Sequence, residues 1–339
     1  MAKPTAAKGR SRARKAKETS AAAGFLDALK FVSVAQKKGG HLYQQHVVIQ
    51  NQTISAFDGQ LTIGRRIEED LSACPQSDLL AAALGKCGEQ FSISQSDNGR
   101  ITIQSGKFKA VVPCVDFASM PTTYPDPNIA VIDNRIKDGF AAVMGLATEG
   151  AASVIEASLL LQAGSVVATN KIVILEYWHG IDLPPGLAIP KIAAQAIVKA
   201  ERDLVGFGFS SSSATFWFDD ESFIKTQLFS EGWPNINAIL NKNVNPWPLP
   251  EGFFEAVKAV ASFTVTGNVY FTPGEMRSHP DGLDGAQYEV EGLPAGQAYN
   301  GKMLLLVEPY MTTADFTSYN GQAFFFGDSI RGAIAGIRN

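Results

Sequence analysis

The chain has 339 residues, 45% of them hydrophobic, enough to fill two or three cores, and a formal net charge of −4. It has no apolar run near the roughly 18 residues of a membrane span and no apolar signal-peptide core at its N-terminus. Three cysteines without paired spacing (Cys74, Cys87, Cys114) point to small buried thiols in a reducing compartment, not to a disulfide framework or a zinc site.

The charge is unevenly spread. Residues 1–20 carry seven basic side chains (Lys3, Lys8, Arg10, Arg12, Arg14, Lys15, Lys17) against Glu18, a local +6 that leaves −10 on the remainder. A basic arm on an acidic body suits a polyanion met at one place; the plainer reading is a solubilising tail. Low hydrophobicity predicts disorder over residues 1–21.

Helical spacing over 24–38 puts Phe25, Leu29, Val32 and Gln36 on one face and Lys30 and Lys37 on another, ending at Lys38 before Gly39-Gly40. Strands are predicted over 46–50 and 53–57, with an Asp58-Gly59 turn into 60–64. A helix over 75–86 has Asp78 in its first turn and Lys86 in its last, both suited to the helix dipole. Residues 91–112 read as a strand, a polar turn (Ser96, Asp97, Asn98, Gly99), a strand with Ile101 and Ile103, a tight Ser105-Gly106 turn and a third strand. Residues 121–128, PTTYPDPN, read as a linker.

A helix over 133–148 turns Ile132, Ile136, Phe140 and Val143 inward and leaves Arg135 and Lys137 outside. Strands follow over 154–162 and 165–180. Pro190 starts a helix to Arg202 that exposes Lys191, Gln195, Lys199 and Arg202 and buries Ile192, Ala196, Ile197 and Ala200. The three-strand unit returns over 205–228, and a second linker covers 241–250. Beyond it come a helix over 252–263 burying Phe253, Val257 and Val260, strands over 268–272 and 286–292, a helix from Gly301 to about Glu308, and a shortened strand unit to the end. The copies lie about 115 residues apart, the size of a small domain and too long for a solenoid unit. The fold class predicted is α+β, with three related domains over 22–124, 129–243 and 247–339, each α-βββ-α-βββ.

No catalytic constellation emerges. Phe326-Gly327-Asp328-Ser329-Ile330 resembles the nucleophile block of GDSL hydrolases, but the ten residues after Ser329 contain no histidine to serve it. His41, His46, His179 and His279 are scattered without metal-ligand spacing. Gly206-Phe207-Gly208 precedes no phosphate-binding helix. The expectation is a protein that is not an enzyme and uses no cofactor or metal.

Several motifs, in a common order, resemble a known family. Ser105-Gly106-Lys107-Phe108 through Asp116-Phe117 and Met120-Pro121, then Ala168-Thr169-Asn170, then residues 225–240, then Tyr299-Asn300, and finally the Ile-Arg-Asn ending, are similar to the bacterial-type replicative sliding clamp, the β subunit of DNA polymerase III, in a divergent and possibly phage-encoded form. The glycine and histidine that follow A-T-D in that pattern are absent, and Asn170 replaces its Asp. The resemblance implies a head-to-tail homodimeric ring of six domains, helices inside and sheets outside, encircling double-stranded DNA, with a DNA polymerase and a clamp loader as partners, in the cytoplasm of a bacterium or an infected host. A protein that travels over any sequence should touch phosphates through basic groups. Those expected are Arg10, Arg12, Arg14 and Lys15 on the arm, and Lys30, Lys37, Lys38, Lys86, Arg135, Lys137, Lys191, Lys199 and Arg202 on or beside helices. By position in the resembled pattern, a partner's short motif would meet Thr169, Ile172, Pro234, Ile239, Asn300, Met303, Ile337 and Arg338. The competing reading is a β-rich structural or virion assembly protein with a nucleic-acid-binding arm.

Overall fold

The computed structural model describes residues 21–96, 99–281 and 284–337. Two compact units divide the chain: Met1–Ala56 with Arg66–Pro121, and Phe57–Arg65 with Thr122–Asn339. The predicted disorder of the arm lies outside the described residues.

In the first unit the opening helix is Ala21–Val32 followed by a single 3-10 turn, Ser33–Ala35, so it stops short of the predicted Lys38. Ser33 Oγ donates to Leu29 O at 2.7 Å, the local competition by which serine weakens a helix end, and Gln36 is already extended. Phe25, Leu29 and Val32 are buried, as their spacing requires. Lys37 and Lys38 therefore stand beyond the helix. After a one-turn helix, Leu42–Gln45, comes helix Ser77–Leu84; Asp78 is in its first turn, but Lys86 falls after its end at Gly85 and does not face the dipole from the last turn. The strands Ser92–Gln95, Ile101–Ser105 and Phe108–Val112 form the predicted meander, with Ile101, Ile103 and Val112 buried on one face. Asp97 and Asn98 of its first turn lie outside the described residues.

The second unit holds two more passes through the same element order. Helix Arg135–Val143 buries Ile136, Phe140 and Val143, and is shorter than the predicted 133–148. Residues Val154–Ala157 form a helical turn where a strand was predicted, and the strands are Ser158–Gln162, Ser165–Thr169 and Val173–Trp178. Pro190 closes the strand Leu187–Pro190 and starts helix Lys191–Lys199, which ends before Arg202. Its buried face is Ala193, Ala194, Ala196 and Ile197, while Ile192 and Ala200 are only half-buried, a rotation from the predicted stripe. Strands Leu204–Phe209, Ser213–Phe218 and Phe223–Gln227 complete this pass. The last pass has helix Phe253–Ala261, strands Asn268–Thr272, Glu275–Arg277, Gln287–Glu289 and Gln297–Asn300, and helix Gly301–Val307. Its final meander is complete, not shortened: Thr313–Tyr319 pairs with Gln322–Gly327, which pairs with Ile330–Ala335. Polar residues toward the end of the first of these strands hide it from pattern reading.

Strands of successive passes join edge to edge inside the second unit. Leu61–Arg66 pairs antiparallel with Phe223–Gln227 (Ile63 opposite Ile224), and Val173–Trp178 pairs with Ile330–Ala335 (Leu175 opposite Gly332). Gly332 is required at that junction, because a Cβ there would meet Ile174 O at 2.5 Å and the Phe325 ring at 2.2 Å. The cores are aromatic: Phe140, Phe207 and Phe216 pack together in one pass, and Phe253, Phe271, Tyr299 and Phe316 in the next, at centroid separations of 5.2–5.8 Å. Each such ring stabilises the fold by about 1.5–3 kcal/mol through burial.

Neither predicted linker is loose. Asp126 in the first is buried and accepts hydrogen bonds from Ser213, Thr215 and Lys225 of the adjoining sheet. The second contributes a short edge strand, Trp247–Pro248, and its Asn245 N–H donates to buried Asp315 at 2.7 Å. Burial opposes charge on Asp315, but bonds from Ser318, Asn245 and Thr317 hold its carboxyl down at about 2.

Candidate functional site

The turn between strands Ser165–Thr169 and Val173–Trp178 is folded by its own side chains. Asn170 Oδ1 accepts from the N–H groups of Ile172 and Val173 at 3.1 and 2.7 Å. Thr169 Oγ1 accepts from Lys171 N–H at 3.0 Å and donates to Val173 O at 2.7 Å. This asparagine turn sets Lys171 at φ +69°, the left-handed region that favours glycine, and turns Ile172 out to 44% exposure. Lys171 stands where the resembled pattern has glycine, and its ammonium pairs with Glu156.

Two other segments meet the turn. Asn170 Nδ2 lies 3.2 Å from Met303 Sδ on helix Gly301–Val307. Asn300 caps that helix, its Oδ1 accepting from Lys302 and Met303 N–H and its Nδ2 donating to Thr266 O. Near the chain end, Ala335 N–H donates to Ile172 O and Ile337 N–H to Ala298 O, both at 2.8 Å. Arg338 lies outside the described residues.

The short helix Ile236–Leu240 supplies the remaining expected residues. Ile236 and Leu240 are buried against Leu160, Val167, Ile174, Phe324 and Ala333, which leaves Ile239 40% exposed on the other side and Pro234 exposed before it. Arg331 ties this helix to the sheet. Its guanidinium donates to Glu176 Oε2 at 2.6 Å, Asn241 Oδ1 at 2.5 Å and Asn237 Oδ1 at 3.2 Å, and sits 4.9 Å from the Trp178 ring centroid. Sequence reasoning missed Arg331, Glu176 and the two asparagines; they lie 90 to 155 positions from Arg331, and no local pattern marks them.

Of the residues expected to meet a partner, Thr169 and Asn300 spend their polar atoms inside the protein. Ile172, Pro234 and Ile239 are the exposed apolar ones, with Met303 and Ile337 half-buried beside the turn and at the chain end. The structure brings the Ile172 turn and Met303 together through Asn170; Ile337 bonds to Ala298, and Ile239 stays on the outer side of a helix whose Ile236 and Leu240 pack on the sheet.

The basic residues divide sharply. Lys30, Lys37 and Lys86 are exposed, and Lys38 faces Asp78 at 3.6 Å with both side chains largely in water. On helices Arg135–Val143 and Lys191–Lys199 the predicted outward stripe is mostly spent. Lys137 is half-buried, not outside, and donates from Nζ to the carbonyls of Ala200 (2.7 Å) and Arg202; burial depresses its pKa. Lys191 Nζ donates to Ala147 O at 2.6 Å. Lys137 thus caps the open carbonyl end of helix Lys191–Lys199, where a cation is favoured, while Lys191 holds the loop that follows helix Arg135–Val143. Arg202 is bound to Asp220 at 2.5 Å, and Arg135 to Asp133 at 2.9 Å. Lys199 is exposed with no ion pair among the described residues. Arg10, Arg12, Arg14 and Lys15 lie outside the described residues.

No protein-family model and no curated protein matches the sequence. The fold does match solved structures over nearly all of both chains. The DNA polymerase sliding clamp of Bacillus subtilis is 11% identical at a TM-score of 0.75, and the polymerase β subunit of Streptococcus pyogenes 12% at 0.76. The Helicobacter pylori β clamp bound to a DNA ligase peptide is 15% identical at 0.74; all three matches cover 94% of this chain and 98% of the other. At little more than a tenth sequence identity, this chain has the fold seen in the DNA polymerase III β subunits and bacterial sliding clamps.

Proposed function

We propose that this protein is a non-enzymatic sliding clamp: three repeated domains, closed into a ring by a second copy, that surround duplex DNA without reading its sequence and hold the replicative polymerase to it. The observation that carries the proposal, beside the fold likeness, is a pairing rule left incomplete at both ends of the chain. The third strand of one pass pairs with the last strand of the next, at Leu61–Arg66 with Phe223–Gln227 and at Val173–Trp178 with Ile330–Ala335. Continued once more, the rule joins Gln287–Glu289 to Phe108–Val112. Both are sheet edges among the described strands. They are complementary: Lys107 and Lys109 with exposed Val111 on one, Glu289 and Glu291 with exposed Tyr288 on the other. An unpaired edge is a template for another chain, and a head-to-tail contact that closes makes a ring.

Charge favours the same arrangement. Residues 1–56 and 66–121 hold 15 basic against 9 acidic residues, net +6, and the rest of the chain 14 against 24, net −10. Opposite net charges steer the unlike units of two copies together. The exposed apolar residues Ile172, Pro234 and Ile239 fit a short linear motif of a polymerase or clamp loader, in which a few buried anchors supply the affinity. No observation favours the virion-protein reading. Among the described residues no helix is long and apolar enough to cross a membrane.

The test is topological. Loaded on nicked circular DNA, the protein should stay bound through a high-salt wash and slide off once the circle is cut. Light scattering should give about twice the 36.3 kDa chain mass. Equal retention on linear and circular DNA would reject the ring.

A further inference from the structure

We infer that this clamp holds the DNA phosphates asymmetrically, with the first domain and not the second supplying most of the cations on or just beyond helices that can reach a duplex. The inference rests on the clamp reading and concerns which residues do the gripping. A phosphate contact needs a cation whose hydrogen-bond donors face water, because an ammonium already committed to protein acceptors must lose those bonds first.

In the second domain, the internal bonds that hold Lys137, Lys191 and Arg202 serve structure. Lys137 closes the end of helix Lys191–Lys199 on the Ala200 carbonyl, Lys191 holds the loop carbonyl of Ala147, and Arg202 shares the Asp220 carboxylate with Arg65, at 3.2 Å. Arg135 carries Asp133 with it, so the pair presents almost no net charge to a phosphate. Lys199 alone of the five is exposed without an ion pair among the described residues. In the third domain Lys258 pairs with Glu308 at 2.5 Å, leaving Lys302. The first domain differs in kind. Lys30, Lys37 and Lys86 are exposed with no ion pair among the described residues, and Lys38 meets Asp78 only at 3.6 Å in full solvent, where such pairs hold little energy. Net charge leans the same way: outside the arm the first unit holds 8 basic and 8 acidic residues and is neutral, against −10 for the rest of the chain.

The experiment compares salt dependence in the full-length protein. On duplex DNA each phosphate neutralised contributes about 0.9 to the slope of log K against log salt. Lys30→Gln/Lys37→Gln/Lys86→Gln should lower the slope by about 2 to 3 and weaken binding at low salt by well over tenfold. Arg135→Gln, an exposed side chain with no part in the Lys137 and Lys191 bonds, should leave the slope unchanged, and Lys199→Gln should lower it by no more than about 0.9. Thermal melts of all three confirm that they fold. The inference is overturned if the triple variant keeps the wild-type slope, or if Arg135→Gln loses as much as the triple. Failure of the wild type to be retained on nicked circles would instead overturn the clamp reading itself.

Discussion

Removing the Asp126 carboxylate should unfasten the segment that sequence alone reads as a linker. Asp126 is 6% exposed, and its oxygens accept from Ser213 Oγ at 2.9 Å, Thr215 Oγ1 at 2.8 Å and Lys225 Nζ at 3.3 Å, while its carbonyl accepts from Trp217 Nε1 at 3.3 Å. Gly208 lets the strap lie this close, since a Cβ there would meet Pro127 O at 2.2 Å. Asp126→Ala leaves two buried hydroxyls and an ammonium without their acceptor. Breaking a buried charged pair by deleting one partner costs about 3–5 kcal/mol; the Lys225 side chain, 21% exposed, can recover some hydration, which places the loss near about 3 kcal/mol. Asp126→Leu with Lys225→Met removes both charges and should recover most of that. The assay is urea unfolding followed by tryptophan fluorescence. All four tryptophans (Trp178, Trp217, Trp233, Trp247) belong to the second unit, so the signal reports that unit alone even if the two units unfold separately. A loss below about 0.5 kcal/mol for Asp126→Ala, the range of an ordinary surface change, would show that the strap carries no load.

Further outcomes follow from single groups. Lys171→Gly relieves a left-handed lysine and gives up a half-exposed pair with Glu156, so it should raise stability by somewhat under about 1 kcal/mol; a lower melting point would contradict the strain argument. His179 is buried beside Asp133 and Arg135, accepts from Ile181 N–H through Nδ1, and is held below the ordinary histidine range by burial. Its folded pKa is depressed, so its contribution is complete above about pH 6.5 and is lost as pH falls toward the folded value. A His179→Gln variant should show a flatter stability profile between neutral and mildly acid pH, and an unchanged profile would exclude His179 as its source. Ile172→Asp with Ile239→Asp, both on exposed positions, should leave the melting curve within about 0.5 kcal/mol of wild type yet abolish the lengthening of primer extension by a polymerase that the wild type stimulates. Full stimulation by that variant would move the partner site elsewhere.

How much of this was legible beforehand depends on the range over which the deciding forces act. The buried faces Phe25/Leu29/Val32, Ile136/Phe140/Val143 and Phe253/Val257/Val260 followed from helical spacing, and the two complete meanders from alternation and turn residues. Boundaries slipped where a side chain competed with the backbone, as Ser33 does at Leu29 O. The last meander was read as short because its opening strand, Thr313–Tyr319, is polar toward its end. At the proposed partner site the resemblance marks the Asn170 turn and the Asn300 cap, but not Arg331, whose acceptors are far away in sequence.

The order of helices and strands, their threefold recurrence and the contrast between a basic arm and an acidic body were determined by the sequence itself, because periodicity, turn chemistry and charge act between near neighbours or simply add up. Only the tertiary structure decided which lysines are free. A lysine on a helix face looks the same in sequence whether it ends in water or on a carbonyl. Lys137 and Lys191 find theirs 63 and 44 positions away, a distance that only packing brings within bonding range.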